Sequence, residues 1–167
     1  VTICAESSVT FDPQTNPETN IFTWTGINGT ASNTIADPAI KNAVATPKDT
    51  STYVLHAQWG GCERRDTIIV NVLHKPEPNA GLDTAICNLT YAILRGSAGN
   101  LSGNVNYAWT PATNVEFPNQ AVTRVYPANS DTTYTYTLTV TDDYGCNFSV
   151  TDQVEVRVQP PVPAFAG

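Results

Sequence analysis

The sequence predicts an all-β protein built of two tandem β-sandwich domains, and three observations carry that prediction. Tyr134, Tyr136, Leu138 and Val140 fall on one parity, and Thr133, Thr135, Thr137, Thr139 and Thr141 on the other. That period of two sets one face of a strand against a core and the other in water. Four landmarks recur at nearly one offset: Cys4 and Cys87 (83 residues), Trp24 and Trp109 (85), Tyr53 and Tyr136 (83), and Cys62 and Cys146 (84). Short alternating runs are punctuated throughout by Gly, Pro, Asn and Asp, and no window of roughly 12 residues carries a helical stripe.

The elements follow in order. In the first repeat, Val9/Phe11, Phe22/Trp24, Tyr53/Leu55/Ala57 and Ile68/Val70/Val72 alternate as strands. In the second, an extended piece near 84–87 precedes a strand near 90–96. Val105, Tyr107 and Trp109 alternate on a third strand that ends at Thr110-Pro111, and a fourth lies near 121–126. The Tyr134 strand ends in the turn residues Asp142-Asp143-Tyr144-Gly145, and Val154, Val156 and Val158 alternate on the last strand. About seven strands per repeat is the content of a β-sandwich, with a small β-barrel as the alternative. Trp24 and Trp109 sit among apolar neighbours as core anchors. Together with the Tyr-x-Leu strand they fit an immunoglobulin-like arrangement.

The first domain is assigned to 1–75, with its first strand possibly missing, the second to 76–159, and 160–167 to a linker or the first strand of a following repeat. Lys75-Pro-Glu-Pro78 reads as a linker that limits bending. Pro161-Val-Pro-Ala-Phe-Ala-Gly167 echoes Lys75-Pro-Glu-Pro-Asn-Ala-Gly81, and Val1-Thr-Ile-Cys4 echoes the approach to Cys87. Joining end to start nearly regenerates the internal junction, as expected of a piece cut from a head-to-tail array. The absence of methionine fits a processed segment of a longer protein. The expected partners are therefore neighbouring repeats. If the Pro-rich segment forms a first strand, Pro160–Gly167 of one molecule completes the edge of another by head-to-tail self-association.

Composition excludes several classes. A net charge of −7, with Arg64-Arg65 as the single adjacent basic pair, argues against nucleic acid. No apolar stretch approaches the roughly 18 residues that membrane insertion needs. Four cysteines on an acidic, Thr-rich chain favour an oxidising extracellular setting, and without a C-x-x-C pair a zinc site is not expected. Pairing within repeats, Cys4–Cys62 and Cys87–Cys146, would give each the same staple, worth about 4 kcal/mol on the chain-entropy model. If Cys87 ends a first strand and Cys146 follows the last hairpin, however, the two lie at opposite ends of a sandwich. Cys4–Cys146 is then the alternative.

The run Asp83-Thr-Ala-Ile-Cys87, then Tyr107-Ala-Trp109-Thr-Pro111, then Thr135-Tyr-Thr-Leu-Thr-Val-Thr-Asp142 with Gly145-Cys146, resembles PKD-like, immunoglobulin-like repeats. Such repeats occur in very large secreted surface proteins of Bacteroidota, including gliding-motility adhesins exported by the type IX secretion system. The resemblance implies a bacterial cell-surface location and a role in adhesion. Tyr107–Pro111 stands where better-known PKD domains carry Trp-Asp-Phe-Gly-Asp. The first repeat departs further, with Trp24-Thr-Gly26 and with Ala57-Gln-Trp59 in place of Val140-Thr-Asp142. An O-glycosylation rule of Asp, Ser or Thr, then a small or aliphatic residue would mark Thr67, Thr84 and Thr132, making the chain a glycoprotein.

Candidate chemistry is sparse. Asp142 and Asp143, with Asp83 and Asp152 elsewhere in the repeat, are the candidates for calcium. That ion takes six to eight oxygens, and no dense Asp-x-Asp-x-Asp run exists. Turn chemistry is the preferred reading of the pair, with calcium the minor alternative, and no cofactor is expected. Trp59 and Tyr144, at equivalent hairpin tips, are the candidate contacts for surface glycans, against a reading of local packing. His56 and His74 have no counterparts in the other repeat, Ser7-Ser8 has no base nearby, and Gly60-Gly61 is a turn, so no enzyme is expected. Asn28, Asn88, Asn100 and Asn147 head Asn-x-Ser/Thr triplets, as an Asn- and Thr-rich composition produces by chance. The expected function is a structural repeat segment of a long secreted adhesin or stalk that projects a distal tip. The alternative is a glycan- or protein-binding accessory module of a secreted enzyme.

Overall fold

A computed structural model describes residues 1–15, 21–27, 34–129 and 131–161. Asn28 and residues 162–167 of the closing segment lie outside that set. The chain forms two compact units, Val1–His74 and Lys75–Gly167, and every regular element described is a β-strand.

Unit 1 contains β1 (Thr2–Cys4), β2 (Val9–Thr10), β3 (Ile21–Gly26), β4 (Val44–Ala45), β5 (Ser51–Trp59) and β6 (Cys62–Leu73). One sheet has the order β1-β6-β5-β3, with β1 parallel to β6; β2 and β4 pair separately. Unit 2 contains β7 (Glu77–Asn79), β8 (Thr84–Cys87), β9 (Ala92–Arg95), β10 (Ser97–Gly99), β11 (Val105–Thr110), β12 (Val122–Val125), β13 (Thr132–Asp142) and β14 (Ser149–Gln159). Its main sheet runs β11-β13-β14-β8, with β8 parallel to β14, while β12-β9 and β10-β7 form the remaining pairs.

The two units share one frame. Trp24 on β3 lies opposite Leu55 on β5, and Trp109 on β11 lies opposite Leu138 on β13. Tyr53 and Tyr136 follow two residues before those leucines, on the same face of each strand, and all six side chains are buried. The Thr/apolar alternation of β13 resolves as the sequence predicts: Tyr136, Leu138 and Val140 are buried, and Thr133 and Thr135 face solvent. Val154 and Val156 of β14 close the same core, and Val158 is buried on the same parity. In unit 1, Phe11 stacks on Trp24 with ring centroids 4.3 Å apart.

One expectation changes. Lys75–Pro78 is not a free linker: Pro76 is buried, β7 pairs antiparallel with β10, and Ala80 joins the core. Asp152 sits on the inward parity of β14, opposite Leu138, and accepts the Ala80 N–H at 2.8 Å, which fixes this segment to the sheet. The strand near 90–96 forms as β9 and ends before Gly96, and β10 follows directly. A Cβ at Gly96 would meet the Ala121 carbonyl oxygen at 2.8 Å, and Leu138 Cδ2 and Trp109 Cζ2 at 2.9 Å each. The main sheet approaches the chain too closely there for any side chain. Gly96→Ala is therefore expected to destabilise the protein by about 1–3 kcal/mol through overpacking. Gly99→Ala, which meets open space, should stay within about 0.5 kcal/mol. Urea titrations followed by tryptophan fluorescence compare the two.

Candidate functional site

The cysteines fall into two kinds. Cys4 and Cys87 end the strands β1 and β8, where they lie beside Leu73 and Gln159, the last residues of β6 and β14. The chain turns identically after each: Glu6 and Leu89 both have φ of 66°, and the carbonyls of Cys4 and Cys87 accept the N–H of Ser7 (3.1 Å) and Thr90 (3.3 Å). Cys62 and Cys146 belong instead to the hairpins that open β6 and β14. Within each repeat the two kinds are thus separated by a whole strand. At about 3.3 Å per residue that is roughly 33 Å or more, against the roughly 7 Å that a disulfide allows. The expected within-repeat pairs, Cys4–Cys62 and Cys87–Cys146, do not form. Cys4 and Cys146 are disulfide-bonded, while Cys62 and Cys87 are exposed free thiols.

The hairpin tips differ in construction. In unit 1, Gly60 and Gly61 have φ of 52° and 86°, and Trp59 pairs directly with Cys62 across a two-residue turn. Trp59 is 47% exposed. In unit 2 the longer loop is organised by Asp142. Its carboxylate accepts the Cys146 N–H at 2.8 Å and also the Phe148 N–H, while the Asp143 N–H goes to the Asn104 carbonyl. Tyr144 packs over Gly103, and burial, assisted by the Asp142 carboxylate, pushes its phenol above the ordinary value. Both Asp142 oxygens are thus engaged by backbone donors. Asp83 and Asp152 likewise accept the N–H groups of Glu155 and Ala80. Among the described residues no group of three or more His, Cys, Asp or Glu side chains is placed to hold a metal.

The histidines take surface roles. His56 lies 2.7 Å from Glu63, and that hydrogen bond, then one from Gln58, holds the Glu63 carboxyl below its usual range. His74 lies 3.8 Å from Asp49. Thr67 and Thr84 are exposed and Thr132 is half-buried. One cluster lay outside the sequence reading. On the outer side of the β9–β12 pair, Tyr91 and Tyr126 lie 6.0 Å apart, and the Arg124 guanidinium sits 5.1 Å over the Tyr91 ring. Both tyrosines are nearly half exposed. Tyr91 and Tyr126 flank their strands just outside β9 and β12, so alternation along either strand alone did not bring them together.

An indole-anchored pair of sheets with a parallel strand at the edge of the main one defines an immunoglobulin-like β-sandwich module. The chain belongs to the PKD domain family: residues 73–158 match the family model described as "PKD domain". No curated protein matches the chain. Among solved structures, the crystal structure of DIP-gamma IG1+IG2 is 12% identical, with 95% of this chain and 92% of that one covered and a TM-score of 0.58. Drosophila OTK extracellular domains 3-5 are 13% identical over 95% of this chain, with a TM-score of 0.51, and the I-band fragment I67-I69 from titin is 14% identical over 96%, with a TM-score of 0.50. The chain spans 59% and 63% of these last two. At such identities the likeness is one of fold.

Two outcomes test the site. Alkylation without reductant should label Cys62 and Cys87 alone, with Cys4 and Cys146 reacting only after reduction; peptide mass spectrometry reads the pattern. Asp142→Ala strands the N–H groups of Cys146 and Phe148 and should cost about 1–3 kcal/mol in denaturant titration.

Proposed function

We propose that the chain is a structural segment of a long secreted surface protein, a stalk or adhesin whose repeats carry a binding tip away from the cell. Domains of this immunoglobulin-like and PKD class are typical of extracellular structural or adhesion modules and are typically non-catalytic, and a disulfide fits an extracellular location. The observation that carries the proposal is the contrast between frame and surface. The Trp–Leu register and the buried tyrosine repeat from unit to unit, whereas the hairpin tips differ in length, residues and hydrogen bonding. Among the described residues, what repeats is the core frame and what varies is the tip. The resemblance to Bacteroidota surface repeats extends the proposal to attachment or gliding motility, to type IX export and to O-glycosylation at Thr67, Thr84 and Thr132.

Single-molecule stretching of the reduced chain tests this reading. Each unit should give way in its own force peak, releasing about 25 nm of chain at roughly 3.6 Å per residue less the folded length. Extension without discrete peaks would contradict a load-bearing role. A second reading, a glycan-binding module, is favoured by the exposed Tyr91–Tyr126–Arg124 cluster and by Trp59, since exposed aromatic faces stack on sugars. A glycan array that shows binding lost on Trp59→Ala or Tyr126→Ala would support that reading over the first.

A further inference from the structure

One strand-end cysteine, Cys4, and one hairpin cysteine, Cys146, are disulfide-bonded, which leaves one cysteine of each kind free and exposed. The free strand-end cysteine, Cys87, is held as Cys4 is: at the end of a strand parallel to the last strand of its unit, followed by the same turn with φ of 66° two residues on. The bonded cysteines show that this backbone frame and a hairpin cysteine of the same repeat class both take part in a disulfide.

A groove in unit 1 supplies an independent second observation. It is lined by Phe11, Trp24, Leu55, Ile68 and the Arg64–Asp66 stretch of β6, the strand that Cys62 opens. Leu55 faces Asp66 across β5 and β6, as Leu138 faces Asp152 across β13 and β14. In unit 2 that Leu–Asp position receives the Pro76–Gly81 segment, with Ala80 buried and its N–H donated to Asp152. The closing sequence Pro161-Val-Pro-Ala-Phe-Ala-Gly167 carries the same Pro-x-Pro and Ala-Gly features. Because Cys87 pairs in register with Gln159, this closing segment leaves unit 2 at the edge where Cys87 stands. A thiol and the Pro-rich closing segment therefore leave one unit together, and a thiol and a groove lie along one strand of the other.

We propose that copies of this chain join head to tail, with the Pro160–Gly167 segment of one copy in the unit 1 groove of the next and Cys87 of the first in a disulfide with Cys62 of the second. A low-molecular-weight disulfide such as oxidised glutathione serves as oxidant. One cysteine thiolate attacks it and forms a mixed disulfide, releasing a glutathione thiolate; the partner thiolate then displaces the second glutathione. The two cysteines lose two electrons and two protons, recovered as two glutathione thiols.

The test is incubation of the full chain with oxidised glutathione, followed by non-reducing electrophoresis. Wild type should give a ladder of dimers and higher species that collapses on reduction. Cys62→Ser and Cys87→Ser should each remain monomeric, while their equimolar mixture gives a dimer and nothing larger. Excess synthetic peptide of residues 160–167 should suppress that dimer. The thiol pairing is overturned if wild type stays monomeric, or if either single variant dimerises as fully as the mixture. An undiminished dimer in the presence of the peptide overturns the groove as the docking surface.

Discussion

The buried indole on the strand beside the long central strand is the contact on which each unit depends. Trp109 donates its Nε1–H to the Gln120 carbonyl at 2.9 Å, and its backbone N–H goes to the Pro118 carbonyl at 2.7 Å. Trp24 repeats both contacts, with its indole shared between the carbonyls of Ile40 and Lys41 and its N–H on Pro38. One residue thus fills the core and holds the segment that crosses from one sheet to the other. Removing such a side chain costs about 3–5 kcal/mol in lost packing, and an indole N–H left buried without an acceptor adds about 1–3 kcal/mol. The crossing segment must therefore pass where a carbonyl can meet the ring. That fixes the spacing between the sheets and explains why Gly96, pressed against the same indole, has no room for a side chain.

With the core anchored this way, the cysteines are released from holding a single repeat together. A long strand separates the two cysteine positions of each repeat, so a staple there is geometrically barred. The same length makes the strand-end and hairpin positions the two extremities of a unit. The tips are correspondingly free to vary. In unit 1 a two-glycine turn presents Trp59 to solvent, whereas in unit 2 a carboxylate-organised loop folds Tyr144 back onto Gly103.

Much of the fold was legible because alternation is a local property. The threonine parity of β13, the valines of β14 and the two tryptophans each announced the face they occupy. The sandwich followed from counting such strands. The cysteine pairing was legible only as the alternative, Cys4–Cys146, to the expected within-repeat staples. It depends on β8 running parallel to β14, a long-range choice that no residue near Cys87 records. The Pro-rich segment left two readings open, a linker and a first strand, for a related reason. Proline normally marks a linker or an edge, and only the inward-facing Asp152, distant in sequence, shows that this segment is a strand bound to a core. Aspartates read as turn residues or calcium candidates prove to be acceptors for backbone N–H groups, at Asp142 within its own loop and at Asp83 and Asp152 between strands.

Each unit is held by its indole-anchored core, and neither owes its fold to a disulfide. Native-state hydrogen exchange on a variant with all four cysteines replaced by serine tests it most directly. The slowest amides should lie at the same register in both units, around Leu55 on β5 and Leu138 on β13, with protection close to that of the wild-type chain. Loss of that protection from either unit in the cysteine-free variant would contradict the account.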